Sequence, residues 1–444
     1  MASAVERLGD ATSLWYTNRS WDAVAATPVD WLTTTASLTA PAIGAPQFPS
    51  ERTTGDTVVT AYVNLAEVST ADWDPATEPH WDLDGDGLID PSVGADELPS
   101  WLDPDVRNPE WLNYVVRYWD PAWHTVIKSY VDSVAAQGLD GVTFDVMTAH
   151  WTWAEQDADA RPDFVADMAT LVRTIGDYID ETYGDAFAMT VNVSPIVLTQ
   201  HPDLVDVIDG LFIENAVFRW NGDGTVENGG LSEIDDLAPF RESGTPIFAV
   251  DHLGFGFSQS DFAFLDDGQG NDAANAENFE LLFRSGITYG FKPSATSLSF
   301  EADIPPFPRY QFGHPVGETL QGYAHADYIY GDAGDDRLNG NDGGDLLAGG
   351  PGRDILDGGA GLDRALFVGP RRLYEVGPQT SEGREVEQGS VASTVVVTAS
   401  GSAALGEGAS YQLLVNGLSA GAPQHLSPPD RKSTRLNSSH YRTS

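Results

Sequence analysis

Along the first 300 residues the apolar positions follow two alternating rhythms. Short runs rich in β-branched residues read as strands: Leu14–Thr17, Pro28–Thr33, Thr57–Leu65, Gly141–Asp145, Ala186–Asn192, Gly210–Glu214, Pro246–Val250 and Gly286–Gly290. Between them apolar residues recur at helical spacing. The clearest case is Phe164–Tyr183, where Val165, Met168, Leu171, Val172, Ile175 and Ile179 share one face. Ala122–Gln137, Leu231–Arg241 and Asn271–Ser285 are weaker examples. Strands alternating with helices build a parallel sheet, so residues 1–300 are expected to form an α/β domain, a (β/α)8 TIM barrel.

One connection, residues 68–120, is too long for an ordinary loop. It carries Trp73, Trp81, Trp101, Trp111 and Trp119. Within it DLDGDGLID sets Asp82, Asp84, Asp86, Gly87 and Asp90 at positions 1, 3, 5, 6 and 9 of an EF-hand-type loop, with Ile89 at the apolar eighth. Position 12 is Val93, so a bidentate ligand is expected from Asp96 or Glu97. The expectation is a structural Ca²⁺ pinning the loop above the barrel mouth.

After a Pro-rich linker at 301–316 the rhythm changes to nine. From Gly322 the chain reads GYAHADYIY, GDAGDDRLN, GNDGGDLLA, GGPGRDILD, GGAGLDRAL. Glycine opens each unit and permits tight turns. Aspartate is sixth every time (Asp327, Asp336, Asp345, Asp354, Asp363), an oxygen ligand suited to Ca²⁺. The eighth position (Ile329, Leu338, Leu347, Leu356, Ala365) is apolar and expected to face inward. This predicts an all-β calcium-binding parallel β-roll over 317–370, followed by a β-rich flank at 371–429. The array resembles the RTX (hemolysin-type) calcium repeats of bacterial secreted proteins.

Composition narrows the partners. The formal charge is −44, from 67 acidic and 23 basic residues, and only Lys128, Lys292 and Lys432 are lysines. Nucleic acid is excluded as a partner, since phosphate binding needs a basic surface. Cations and cationic polymers would be attracted instead, although a surface adapted to salt, together with the acidic repeats, explains the charge equally. No run is long enough to span a membrane, and no organic cofactor motif is present. There is no cysteine, and MASAVERLGD lacks the basic and apolar regions of a signal peptide. Both absences fit export of an RTX-type protein by type I secretion machinery, which implies an extracellular location. Residues 430–444 read as the translation of a sequencing adapter, so the natural C-terminus and any export signal are expected to lie out of view.

In such a barrel, chemistry stands at the C-terminal ends of strands. Those ends supply Glu67, Asp145, Asn192, Glu214 and Asp251. Any one alone could cap the following helix, whereas five together describe an active-site floor. Paired carboxylates among aromatic residues suit glycoside hydrolysis. Tryptophans offer faces to sugars and to charged amines, Trp119 and Trp151 above all, although core packing explains tryptophans equally. His150, His201, His252 and His314 have no metal-binding spacing and receive no role.

AYVNLAEVST, YVVRYWDPAWHTVI, GLDGVTFDVMTAHWTW, IDGLFIENAVF and FAVDH resemble glycoside hydrolase family 114, the endo-α-1,4-polygalactosaminidase barrels, over about residues 12–295. The resemblance implies Asp145 as nucleophile, Glu214 as acid/base, and Glu67, Asn192 and Asp251 lining sugar subsites. It implies a polysaccharide substrate containing α-linked galactosamine, whose free amines are cationic. The sequence departs from the family where Leu32-Thr33-Thr34 replaces a strand-ending Asp. A non-catalytic carbohydrate-binding or adhesive protein on the same scaffold is the alternative reading.

Overall fold

The structure is a computed structural model. It describes residues 2–11, 14–17, 30–35, 57–68, 89, 93–94, 97–109, 113–220, 226–228, 234, 236–252, 272–296, 309–324, 326–361, 363–367, 374–378, 394–399 and 411–414. The chain divides into two compact units, Met1–Phe312 and Gly313–Ser444.

The first unit is built on eight strands: β1 (Leu14–Thr17), β2 (Trp31–Thr35), β3 (Val58–Asn64), β4 (Gly141–Asp145), β5 (Ala188–Asn192), β6 (Gly210–Glu214), β7 (Ile247–His252) and β8 (Lys292–Thr296). Every neighbouring pair is parallel and the spatial order is the chain order. The outer strands β1 and β8 approach within 8 Å, Cα to Cα.

Seven helices are described here: α1 (Ala4–Gly9), α2 (Pro121–Ala136), α3 (Ala149–Gln156), α4 (Phe164–Thr182), α5 (Pro195–Gln200), α6 (Ala238–Ser243) and α7 (Asp272–Tyr289). Their starts are written locally. The YWDPAW segment is a helix entrance: Asp120 accepts from the Ala122 N–H as N-cap, and Pro121 occupies the first turn. Trp123 is fully buried and donates through Nε1 to the Leu65 carbonyl at 2.9 Å. Asp163 caps α4 in the same way, and the predicted apolar face supplies buried Met168, Leu171, Val172, Ile175 and Ile179.

The last strand departs from expectation. Gly286–Gly290 is the end of α7, and β8 follows it at Lys292. The apolar run continues a helical face, with Phe283 and Ile287 buried, and Gly290 ends it at φ +74°.

Strand pleating layers the interior. Side chains two apart share a face, so Thr60 lies beneath Tyr62, Thr143 beneath Asp145, Thr190 beneath Asn192 and Phe212 beneath Glu214. The threonines form a buried hydroxyl cluster: Thr60 lies 2.6 Å from Thr143, Thr190 donates to Thr143 at 2.8 Å, and Thr33 lies 3.0 Å from Thr60. Trp31 Nε1 also donates to Thr60 at 3.0 Å. Gly141 opens β4 for a steric reason: a Cβ there would sit 2.2 Å from the Ala188 carbonyl oxygen.

The second unit contains β9 (Thr319–Gln321), β10 (Asp327–Tyr330), β11 (Arg337–Asn339), β12 (Leu346–Ala348), β13 (Arg353–Asp357) and β14 (Arg364–Phe367). β9, β11 and β13 form one parallel ladder, and β10, β12 and β14 another. Partners lie 18 residues apart, as in Leu320↔Leu338 and Ile329↔Leu347, so one coil is two nonapeptides. All five predicted inward residues, Ile329, Leu338, Leu347, Leu356 and Ala365, are fully buried. The second residue of four successive units has positive φ (Asp332 67°, Asn341 71°, Gly350 100°, Gly359 83°), which is why Gly, Asn and Asp occupy it. Three antiparallel strands lie at the far end: Thr394–Ala399 pairs with β13 and with Tyr374–Pro378, and Tyr411–Leu414 pairs with β14.

Candidate active site and calcium array

Asp145 ends β4. Its Oδ2 accepts from the Tyr62 hydroxyl at 2.8 Å, and its Oδ1 from Asn192 Nδ2 at 2.9 Å and the Val146 N–H at 2.7 Å. Strands β3 and β5 therefore each supply one donor to the carboxylate at the end of β4. Val146 has φ +67°, an outlying conformation for a β-branched residue. His150, one turn on, is buried and bonds through Nδ1 to the Met147 carbonyl at 3.0 Å, and burial lowers its pKa.

Glu214 ends β6, and the next residue, Asn215, is again left-handed at φ +57°. Strain after both carboxylates marks the two strand ends as specially shaped. Burial, and then the charge of Asp145, push the Glu214 pKa up to about 8. Both causes favour the protonated carboxyl over the charged one. Asp251, the penultimate residue of β7, is buried and accepts from the Val217 N–H at 2.8 Å, which secures the turn after Glu214.

The remaining sequence-based candidates separate. Strand β3 ends at Asn64 and not at Glu67; Asn64 Oδ1 accepts from the Ala66 and Glu67 N–H groups and turns the chain. Glu67 is 4% exposed, with Oε1 taken by Asn108 at 2.8 Å and Oε2 by Asn113 at 3.1 Å. Its pKa is raised by burial against the opposing pull of those amides. It holds the end of the long connection down. Trp119 packs against Trp153, Tyr118 and Phe164, with centroids at 4.8, 5.2 and 5.7 Å. Trp151 is 57% exposed and presents an open face. The EF-hand-type residues Asp82, Asp84, Asp86 and Asp90 lie outside the described residues. Tyr62 escaped the sequence reading, although its even spacing from Asn64 in a single strand was the signal that could have found it.

In the second unit the sixth-position aspartates stack. Asp336, Asp345 and Asp354 use Oδ1 to accept the backbone N–H of Glu318, Asp327 and Asp336, at 2.9, 2.8 and 3.1 Å. Their Oδ2 atoms are buried without a hydrogen-bond partner. Burial first, with neighbouring carboxylates adding to it, pushes their pKa values up to about 6, 7 and 7. A buried, unsatisfied carboxylate oxygen in coil after coil fits a hard dication. Among the described residues no three acidic or imidazole side chains gather as a metal group, so backbone carbonyls would have to complete each shell.

Residues 17–287 match the profile of glycoside-hydrolase family GH114, and 317–347 and 339–365 match the RTX calcium-binding nonapeptide repeat. An uncharacterized protein of Thermotoga maritima is 28% identical over 35% of this chain and 47% of its own. The uncharacterized protein MJ1477 of Methanocaldococcus jannaschii is 27% identical over 46% of this chain and 55% of its own. The chain thus spans about half the length of these curated relatives. Among solved structures, the glycoside hydrolase domain of PelA from Pseudomonas aeruginosa is similar with TM-score 0.45 and 18% identity, covering 66% of this chain and 96% of that one. Aspergillus fumigatus Ega3, in complex with galactosamine, gives TM-score 0.38 and 12% identity, covering 66% and 94%. The profile match takes in more than half of the sequence, with the two strained strand ends inside it, and the chain belongs to glycoside hydrolase family GH114, followed by RTX calcium-binding repeats.

Proposed function

We propose that this glycoside hydrolase is an extracellular, calcium-dependent enzyme that cleaves a polysaccharide containing α-linked galactosamine. The observation carrying the reading is the asymmetry of the two carboxylates. Glu214 is held protonated by burial and by the charge of Asp145, as a general acid requires. Asp145 receives three converging donors, as an oriented anion requires. Glu214 would protonate the leaving glycosidic oxygen while Asp145 attacks the anomeric carbon. Water, activated by the Glu214 carboxylate, would then release the sugar. Asn192 would line the sugar subsite beside Asp145, Asp251 would hold its floor in shape, and exposed Trp151 would stack on a sugar ring. Glu67 would act indirectly through the segment it anchors.

The parallel order and the approach of β1 to β8 support a closed (β/α)8 barrel as scaffold, and the 18-residue ladders support a β-roll behind it. Asp82, Asp84, Asp86 and Asp90 would hold a further Ca²⁺ in the barrel loop. The charge of −44 suits a polymer of free amines. Repeats that bind calcium at about 10⁻⁴–10⁻³ M would stay unfolded in a cytosol, pass a type I export channel, and fold outside.

The test is incubation of wild type, Asp145→Asn and Glu214→Gln with acetylated and deacetylated galactosamine polymers, with and without EDTA. The expected result is cleavage of the amine-bearing polymer and a loss of at least about 10²-fold in each variant. Wild-type rates in either variant overturn the assignment. Release of the same product anomer as the substrate linkage would establish retention and the nucleophilic role of Asp145.

A further inference from the structure

Two buried polar atoms in the turns that follow β4 and β5, Ser194 Oγ and His150 Nε2, have no hydrogen-bond partner among the described residues. Ser194 lies two residues beyond Asn192. The Val193 N–H still donates to the Phe212 carbonyl at 3.0 Å, and Ser194 is extended at φ −109°, ψ 103°. The pleat therefore continues, and Ser194 adds one more layer to the inward-facing file of Thr190 and Asn192. Asn192 is in register with Phe212, so the same step along both strands sets Ser194 level with Glu214. The serine is fully buried, and its side chain makes no capping bond to α5.

His150 stands five residues past Asp145 and is 2% exposed. A carbonyl only accepts, so the 3.0 Å bond to Met147 places the proton on Nδ1. Burial lowers the pKa and favours the neutral ring, which leaves Nε2 as a bare acceptor. Trp151 and Ile196, two of the exposed large apolar side chains, stand beside these residues in the chain. The Trp151 ring lies edge-on to His150, with centroids 5.4 Å apart. Exposed apolar surface next to a few uncommitted polar atoms is how small-molecule sites are made.

We propose that Ser194 and His150 are sugar-binding residues of a subsite beside the Asp145–Glu214 pair. His150 Nε2 accepts an N–H or O–H of one amino-sugar ring, Ser194 Oγ bonds the same ring, and Trp151 and Ile196 meet its apolar face. Neither polar atom holds the fold together, so each can be removed without breaking an internal bond. The subsite rests on the reading of the substrate as a galactosamine polymer.

Binding is measured by isothermal titration calorimetry on the full chain carrying Glu214→Gln, which suppresses turnover. The probes are an α-linked galactosamine oligosaccharide and its N-acetylated counterpart. His150→Asn keeps a donor at the δ position for the Met147 carbonyl and lacks the ε acceptor, whereas His150→Gln keeps an ε oxygen and lacks the δ donor. Ser194→Ala and His150→Asn should each weaken binding roughly 10-fold, and His150→Gln should bind nearly as its parent does. Ser194→Ala should also melt with its parent. A penalty confined to the deacetylated oligosaccharide identifies the amine as the donor, and an equal penalty on both identifies a ring hydroxyl; either result supports the subsite. If the parent binds neither probe, the amino-sugar reading fails and takes the subsite with it. If the parent binds, unchanged affinity in Ser194→Ala or His150→Asn overturns the subsite alone. Loss of binding in His150→Gln but not in His150→Asn makes the histidine a support for the turn and overturns it too. A melting temperature that falls with affinity in Ser194→Ala makes the serine structural, with the same consequence.

Discussion

Tyr62 shows how much one hydroxyl can decide. It donates to the same carboxylate that Asn192 and the Val146 N–H address, from a strand on the opposite side of β4 from Asn192. A hydrogen bond to a charged group contributes about 1.5–3 kcal/mol. Tyr62→Phe is therefore expected to lower kcat by roughly 10- to 100-fold, with KM changed much less, in steady-state assays on the polymer. Glu214 gives the pH dependence. Its folded pKa is raised from 4.5 to about 8, so in the proposed role of general acid it is competent below that value and kcat should fall as pH rises through it. The same shift acts on stability. A raised carboxyl contributes stability that is complete below its unfolded value near 4.5 and is lost as pH climbs through about 8. Thermal melts of Glu214→Gln should lack the decline that wild type shows across that window.

At the scale of elements, the fold was legible wherever a local pattern agreed with its surroundings. The apolar face of α4 and the strands β4 to β7 stand close to their expected bounds, because buried parallel strands between capped helices leave plain traces. The strand after α7 was misplaced because Ile287 and its neighbours suit either a strand or a buried helical turn, and only Gly290 separates them. The site was half legible. Asp145 and Glu214 close obvious strands, but the role of Glu67 depends on Asn108 and Asn113, about 40 residues away in a connection without periodicity. Glu67→Ala would take this buried acceptor away from two half-buried amides, each loss costing about 1 kcal/mol. It should lower the melting temperature and expose the 100–113 segment to limited proteolysis. Had Glu67 been mainly a sugar contact, the melting temperature would hardly move.

For the whole molecule, the two units answer to different chemistry. The first is held by an apolar interior, and the second by coils in which Asp336, Asp345 and Asp354 are buried with one carboxylate oxygen unsatisfied. Chelation should therefore lower the melting transition of Gly313–Ser444 and leave that of Met1–Phe312 in place, resolved by calorimetry with and without EDTA. A single transition shifting as one body would contradict the division. The 18-residue register carries a rule of its own, one of parity. Excising one nonapeptide, residues 340–348, hands each later strand to the opposite ladder, so the antiparallel strands Thr394–Ala399 and Tyr411–Leu414 find the wrong partners. Excising two, residues 340–357, leaves Arg337–Asn339 standing where Ile355–Asp357 stood and shortens the stack by one strand spacing of about 4.8 Å. The double excision should still fold on adding calcium, as read by circular dichroism, and the single one should not. Written in nines, the array can lengthen or shorten only in eighteens.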